Sequence, residues 1–237
     1  GTSIIEGGAG AGKFGTTGLL TTQSTTGQTL GGPNTVGTFD ATNSTTSGAI
    51  SLTNTATTLN ITRIAQTGAA AGSNITVNNT GAINTLTNPI ATANGTISLT
   101  ASTTETIGAP VTAGGAASTV ALASVGLTNN STITGPGGVS ADAGTGLLDN
   151  SNVAAIITNG GVAATSVTLT ANTMALGATA NAIVAGTGPV NLSTKTAGTN
   201  ITIGAGGTGL GLSSTELNTI STSGTLTIAA TGAGTIT

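Results

Sequence analysis

The sequence contains no cysteine, no histidine, no tryptophan and no tyrosine. Without histidine or cysteine, no Ser–His or Cys–His nucleophile pair can be assembled. Thiolate and imidazole metal sites are closed off as well. The absence of cysteine also means that no disulfide supports the fold, which suits a secreted chain that folds after export. Aromatic residues are limited to Phe14 and Phe39, both near the N-terminus. That leaves no aromatic platform for stacking sugars, and packing at the end of the fold is the expected role of the pair. Charge is scarce: only 4% of the 237 residues are charged, against about 25% in ordinary soluble proteins. The three bases, Lys13, Arg63 and Lys195, stand far apart in the sequence. They form no basic patch, which excludes nucleic acid as a partner. No apolar run approaches the roughly 18 residues of a membrane helix, and VAAII (153–157) is among the longest. No signal peptide is visible and the first residue is Gly. The chain therefore reads as a processed product or an excised segment.

Glycine supplies 39 positions, and Thr, Ala, Ser and Asn fill most of the rest, yet 37% of residues are hydrophobic. That apolar share is too high for a disordered tail. Helix formers are poorly represented, and strand patterns recur. AISLT (49–53), NITVN (74–78), TISLTA (96–101), TVALAS (119–124), VTLTA (167–171), VNLS (190–193) and TLTIAA (225–230) all alternate apolar with small polar residues. In TISLTA the alternation points Ile97, Leu99 and Ala101 one way and Ser98 and Thr100 the other. Corresponding positions return at Ile50, Ile75, Ile97 and Val120, then at Val167, about two steps on, and at Val190. A period in the twenties, with Gly- and Pro-containing turns such as GAP (108–110), GPGG (135–138) and GTGP (186–189) between strands, is the mark of a solenoid. The expected fold is all-β: a right-handed parallel β-helix of about ten coils of 20–25 residues. At about 4.8 Å per coil it would be a rod of roughly 50 Å. A β-sandwich is the alternative, although its thicker core asks for larger side chains. Residues 1–48 read as a Gly/Thr-rich segment, either a cap or irregular first coils, and 49–237 as the β-helix repeats.

GGAGAGKFG (7–15) carries two nucleotide-binding spacings. Gly7, Gly12 and Lys13 fit a phosphate loop, and Gly10, Gly12 and Gly15 fit a dinucleotide fingerprint. Phe14, however, stands where a phosphate loop needs Ser or Thr, and no helix former follows. The stretch reads as an N-terminal turn, and no cofactor is expected. The acids Glu6, Asp40, Glu105, Asp142, Asp149 and Glu216 are spread along the chain, so catalytic clustering is not expected and enzyme activity is not assigned. A β-helix enzyme acting on polysaccharide is the distant reading. Asp142 and Asp149 alone lie close together, bracketing AGTGLL, and form a weak calcium candidate because two carboxylates and turn carbonyls suit that ion. Asn-x-Ser/Thr sequons at Asn60, Asn74, Asn94 and Asn200 read as strand and turn asparagines stacked between coils, with surface glycosylation open.

The C-terminal stretch carries a more specific pattern. VTLTANTMALGATANAIVAGTGPVNLSTKTAGTNITIG (167–204) is followed by LGLSSTELNTISTSGTLTIAATGAGTIT (210–237). Leu210, Leu212, Ser213, Glu216, Leu217 and Ile220 form an L-x-L-S-x-x-E-L-x-x-I element, and Leu226 to Ile228 form the strand after it. Residues 167–237 resemble the repeat-rich passenger regions of filamentous-haemagglutinin-type exoproteins; 49–166 share their texture. The resemblance implies a right-handed parallel β-helix, export across the outer membrane, and a role in surface attachment or fibre formation. It brings no catalytic residues. The expected function is that of a non-catalytic extracellular structural protein, the rigid stem of a bacterial surface adhesin. The alternative is a self-assembling subunit of an extracellular filament or surface layer. The final GAGTIT still reads as strand and neither end carries a charged cap, so the expected partners are covalent neighbours or further copies joined end to end by strand pairing.

Overall fold

A β-branched or leucine side chain followed by threonine, serine or asparagine favours extended backbone, with the apolar side chain on one surface. The computed structural model, which describes residues 3–6, 13–44, 47–204 and 209–237, converts this pattern into a parallel 23-stranded sheet wound on itself. One coil shows the plan. Ile97–Ala101 forms a first face, Thr104–Ile107 a second and Val111–Ala113 a third, after which Thr119–Ala123 opens the next coil. Each strand pairs in parallel with its counterparts one coil below and one coil above, so backbone hydrogen bonding runs along the rod.

The register on the first face is continuous. Gln28, Ile50, Ile75, Ile97, Val120, Val139, Val167, Val190 and Leu226 stack in one column. The fold is thus a parallel β-solenoid, with about eight turns rather than the ten the periodicity predicts. At about 4.8 Å per turn it is a rod of roughly 40 Å. The difference arises because coils are unequal. The step unseen in the sequence is Val139, so Val120 to Val167 spans a short coil and a long one. Between Val190 and Leu226 the extra residues go into an excursion instead of another rung. There Ile201–Gly204 pairs with Leu210–Ser213 and a short helix, Ser214–Leu217, follows. Within 1–48, Gly15–Ser24 and the long strand Gln28–Asn43 already wind with the later coils, with register shifts at Leu30/Asn34 and Phe39/Asp40.

The interior is a set of aliphatic columns. On the first face Leu52, Val77, Leu99, Leu122, Ala141, Leu169 and Leu192 run beside the column named above. On the third, Ile64, Ile90, Val111, Ile133, Ile157 and Ile183 stack in order, all fully buried. Ile97, Leu99 and Ala101 point inward, as their alternation predicts. Phe39 is fully buried between Leu20 one coil below and Ile61 one coil above, whereas Phe14 stays partly exposed. At the corners, some positions accept only glycine. Gly48 has φ +107°, and a Cβ there would run into the Thr26 carbonyl.

Candidate functional site

Wherever the chain turns a corner, backbone groups leave the strand ladder and need other partners. Buried amides supply them at all three corners. Asn34, Asn54 and Asn79 stack at the end of the first face. Asn54 accepts from Val36 N–H at 2.8 Å, donates to the Val36 carbonyl at 3.0 Å, and donates to Asn79 Oδ1 at 3.0 Å. Asn43 and Gln66 stack at the end of the third face, where Asn43 Nδ2 donates to Gln66 Oε1 at 3.0 Å and Ser24 Oγ donates to Asn43 Oδ1 at 2.8 Å. At the end of the second face Asn129 Nδ2 donates to Asn150 Oδ1 at 2.7 Å. The sequon asparagines also bridge coils. Asn60 Oδ1 accepts from Asn84, Asn74 Oδ1 accepts from Thr96 N–H, Asn94 donates to the Ala69 carbonyl, and Asn200 Oδ1 accepts from Thr235.

The acids fall into distinct environments. Asp142 ends a first-face strand and Asp149 a second-face strand, so the two calcium candidates lie on different faces. Asp142 Oδ1 accepts from Gly144 N–H at 2.8 Å, and Oδ2 pairs with Lys195 Nζ, 53 residues away. Asp149 Oδ1 accepts from Ser151 N–H and Oγ at 3.0 and 2.6 Å. Asp40 pairs with Arg63 at 2.9 Å, one coil above it. Glu6 Oε2 accepts from Gly32 N–H and Asn34. Glu216 and Ser213 form a reciprocal capping box on Ser214–Leu217, and the other Glu216 oxygen accepts from Leu176 N–H at 3.1 Å. The S-x-x-E spacing announces this helix start in the sequence. A shallow groove of about 350 Å³ runs beside Asp142 and Lys195, bounded by Thr100, Ser124 and Val125. Among the described residues no three metal-ligating side chains cluster.

Glu105 differs from the rest. It is only 1% exposed and sits in the inward column of the second face, between Ile83 below and Leu127 above. Neither carboxyl oxygen has a hydrogen-bond partner. Burial pushes its pKa well above the ordinary carboxyl range, which favours the neutral acid over the carboxylate. The signal for this position was in the sequence: in TETI, Glu105 is in phase with Ile107, which points inward.

Of GGAGAGKFG, residues 7–12 lie outside the described residues. Phe14 N–H donates to Asn34 Oδ1 at 2.7 Å, and the chain continues from Gly15 as a strand, where a phosphate loop would require a helix. No helix among the described residues is long and apolar enough to cross a membrane. No family model matches the chain, and neither a curated protein nor a solved structure matches it.

Proposed function

We propose that this chain is a non-catalytic extracellular structural protein, the rigid stem of a bacterial surface adhesin of the filamentous-haemagglutinin type. In this role it holds a binding element away from the cell surface. The observation that carries the reading is the unbroken solenoid. Aliphatic columns run from the coil at Gln28 to the coil at Leu226, so bending the rod would break many stacked contacts and strand hydrogen bonds together. The placement of the charged groups supports it. Two acids neutralise bases, Asp40 with Arg63 and Asp142 with Lys195, and two, Asp149 and Glu216, hold a turn and a helix cap. The L-x-L-S-x-x-E-L-x-x-I resemblance supports this family reading, and in the fold Leu210 and Leu212 are buried and Glu216 serves as a cap. On this reading the ligand is held by regions outside the chain.

One observation favours a second reading, a subunit of an extracellular filament. Leu226–Ala229 pairs on one side only among the described residues, with Val190–Ser193, and Leu226 is 38% exposed. Such an edge is a template for a strand from another copy. Negative-stain electron microscopy of the purified chain over a range of concentrations separates the readings. Discrete rods of roughly 40 Å at every concentration are expected for a stem. Filaments that lengthen with concentration would replace the stem by the subunit, and compact particles without a long axis would refute both.

A further inference from the structure

A carboxyl inside an apolar column can be accommodated in one state only. Protonated, Glu105 is a neutral side chain between Ile83 and Leu127. Ionised, it would place a full charge in a narrow interior with no hydrogen-bond donor at either oxygen. No counter-charge is at hand. The strands paired with Thr104–Ile107 are Ala82–Thr85 and Gly126–Asn129, and the first- and third-face strands of the same coil are Ile97–Ala101 and Val111–Ala113. None of the four carries an acid, a base or any other titratable side chain. The two ion pairs among the described residues, Asp40–Arg63 and Asp142–Lys195, are on the outer surface and belong to other segments of the chain.

The rung also cannot relieve the charge by a small adjustment. A one-residue slip would turn Glu105 outward, but it would turn the fully buried Ile107 outward too and bring Thr104 and Thr106 inward. The strand is four residues long and is followed directly by Gly108 and the Ala109–Pro110 turn. In a solenoid each coil is held by its two neighbours, so one rung can open without unwinding the rest.

We propose that Glu105 makes the coil from Ile97 to Ala113 a proton-controlled joint in the rod. With the proton in place the side chain stays in its column and the rung is closed. When the proton leaves to solvent, the carboxylate leaves the interior and the rung opens. The closed state binds one proton more than the open state, so its stability is greatest in acid and declines as pH rises above the ordinary glutamate range. The decline levels off once the closed-state carboxyl itself ionises. Within that window the opening constant rises up to tenfold per pH unit, equivalent to about 1.36 kcal/mol.

The chain has three glutamates, Glu6, Glu105 and Glu216, so carboxyl ¹³C labelling of glutamate gives three signals, and Glu105→Gln identifies the one of interest. Expected is a Glu105 signal that remains that of the acid at pH 6. Amide exchange over 97–113, corrected for its intrinsic pH dependence, should show opening that accelerates from pH 5 to 8 in the native chain. It should be flat in Glu105→Gln. Should the glutamine variant fail to fold, Glu105→Leu continues the aliphatic column and serves as the pH-insensitive reference. A Glu105 signal already that of the carboxylate at pH 6 with the rung closed would overturn the proposal. So would opening with the same pH dependence in the native chain and in either variant.

Discussion

The corner amides can be tested at Asn54, whose side chain is fully buried and meets two neighbouring segments. Replacing it by alanine removes the acceptor of Val36 N–H and the donor to Asn79 Oδ1, and both groups stay inside the rod. A buried polar group left without its partner costs about 1–3 kcal/mol. The two together give roughly 2–6 kcal/mol, and the bond to the Val36 carbonyl at 3.0 Å adds to the loss. That is a large share of the 5–15 kcal/mol typical of a folded domain. Asn54→Asp distinguishes hydrogen bonding from packing, because its volume is nearly that of asparagine. As a carboxylate it still accepts from Val36 N–H but faces the lone pairs of Asn79 Oδ1 and the Val36 carbonyl. Protonated, it recovers one donor, so its deficit should shrink in acid. Thr53→Ala, one residue away and pointing outward, is the control and should shift stability by no more than about 0.5 kcal/mol. Urea unfolding followed by far-UV circular dichroism is the suitable assay, since the chain has no tryptophan or tyrosine to report by fluorescence. If Asn54→Ala and Thr53→Ala unfold at the same urea midpoint, the corner amides do not hold the coils in register and the reasoning fails.

Other substitutions probe other parts of the rod. Ile97→Lys or Leu169→Lys puts an ammonium into a fully buried column and should abolish the cooperative transition at neutral pH; a native melting temperature in either would place that side chain outside the core. Gly48→Ala combines a positive φ with a collision against the Thr26 carbonyl, so a loss of more than about 1 kcal/mol is expected in thermal unfolding, and no loss would contradict the corner geometry. Lys195→Ala breaks a pair whose lysine side chain is 47% exposed and should cost no more than about 1 kcal/mol, with little further change in 0.5 M salt; a larger effect would mean that Lys195 holds the outer coils together.

Strand identity and facing could be read from the residues alone, because inward and outward positions alternate with a period of two. Ile97, Leu99 and Ala101 show it, and Glu105 obeys the same phase. The bridging of coils by the sequon asparagines was legible as well, since a solenoid brings one corner directly over the next; Asn60 accepting from Asn84 and Asn74 accepting from Thr96 N–H realise it, while the buried pairs Asn54–Asn79 and Asn129–Asn150 emerged only with the fold. The number of coils was not, because a corner loop can absorb extra residues without adding a rung. The excursion between Val190 and Leu226 contains a strand pair, a capping box and a helical turn, yet it advances the rod by one step.

By itself, then, the sequence determined a β-rich chain with an aliphatic interior and no imidazole or thiol chemistry. These follow from residue type and local alternation, which need no knowledge of neighbours. Only the tertiary structure decided which residues are neighbours. It set Asp142 against Lys195 across 53 residues and parted Asp142 from Asp149 onto different faces. It also closed Glu105 between Ile83 and Leu127 with no partner for either oxygen. Whether a carboxyl is paired, solvated or forced to keep its proton depends on what the coils above and below bring to it, and coil length, set by the loops, fixes that register.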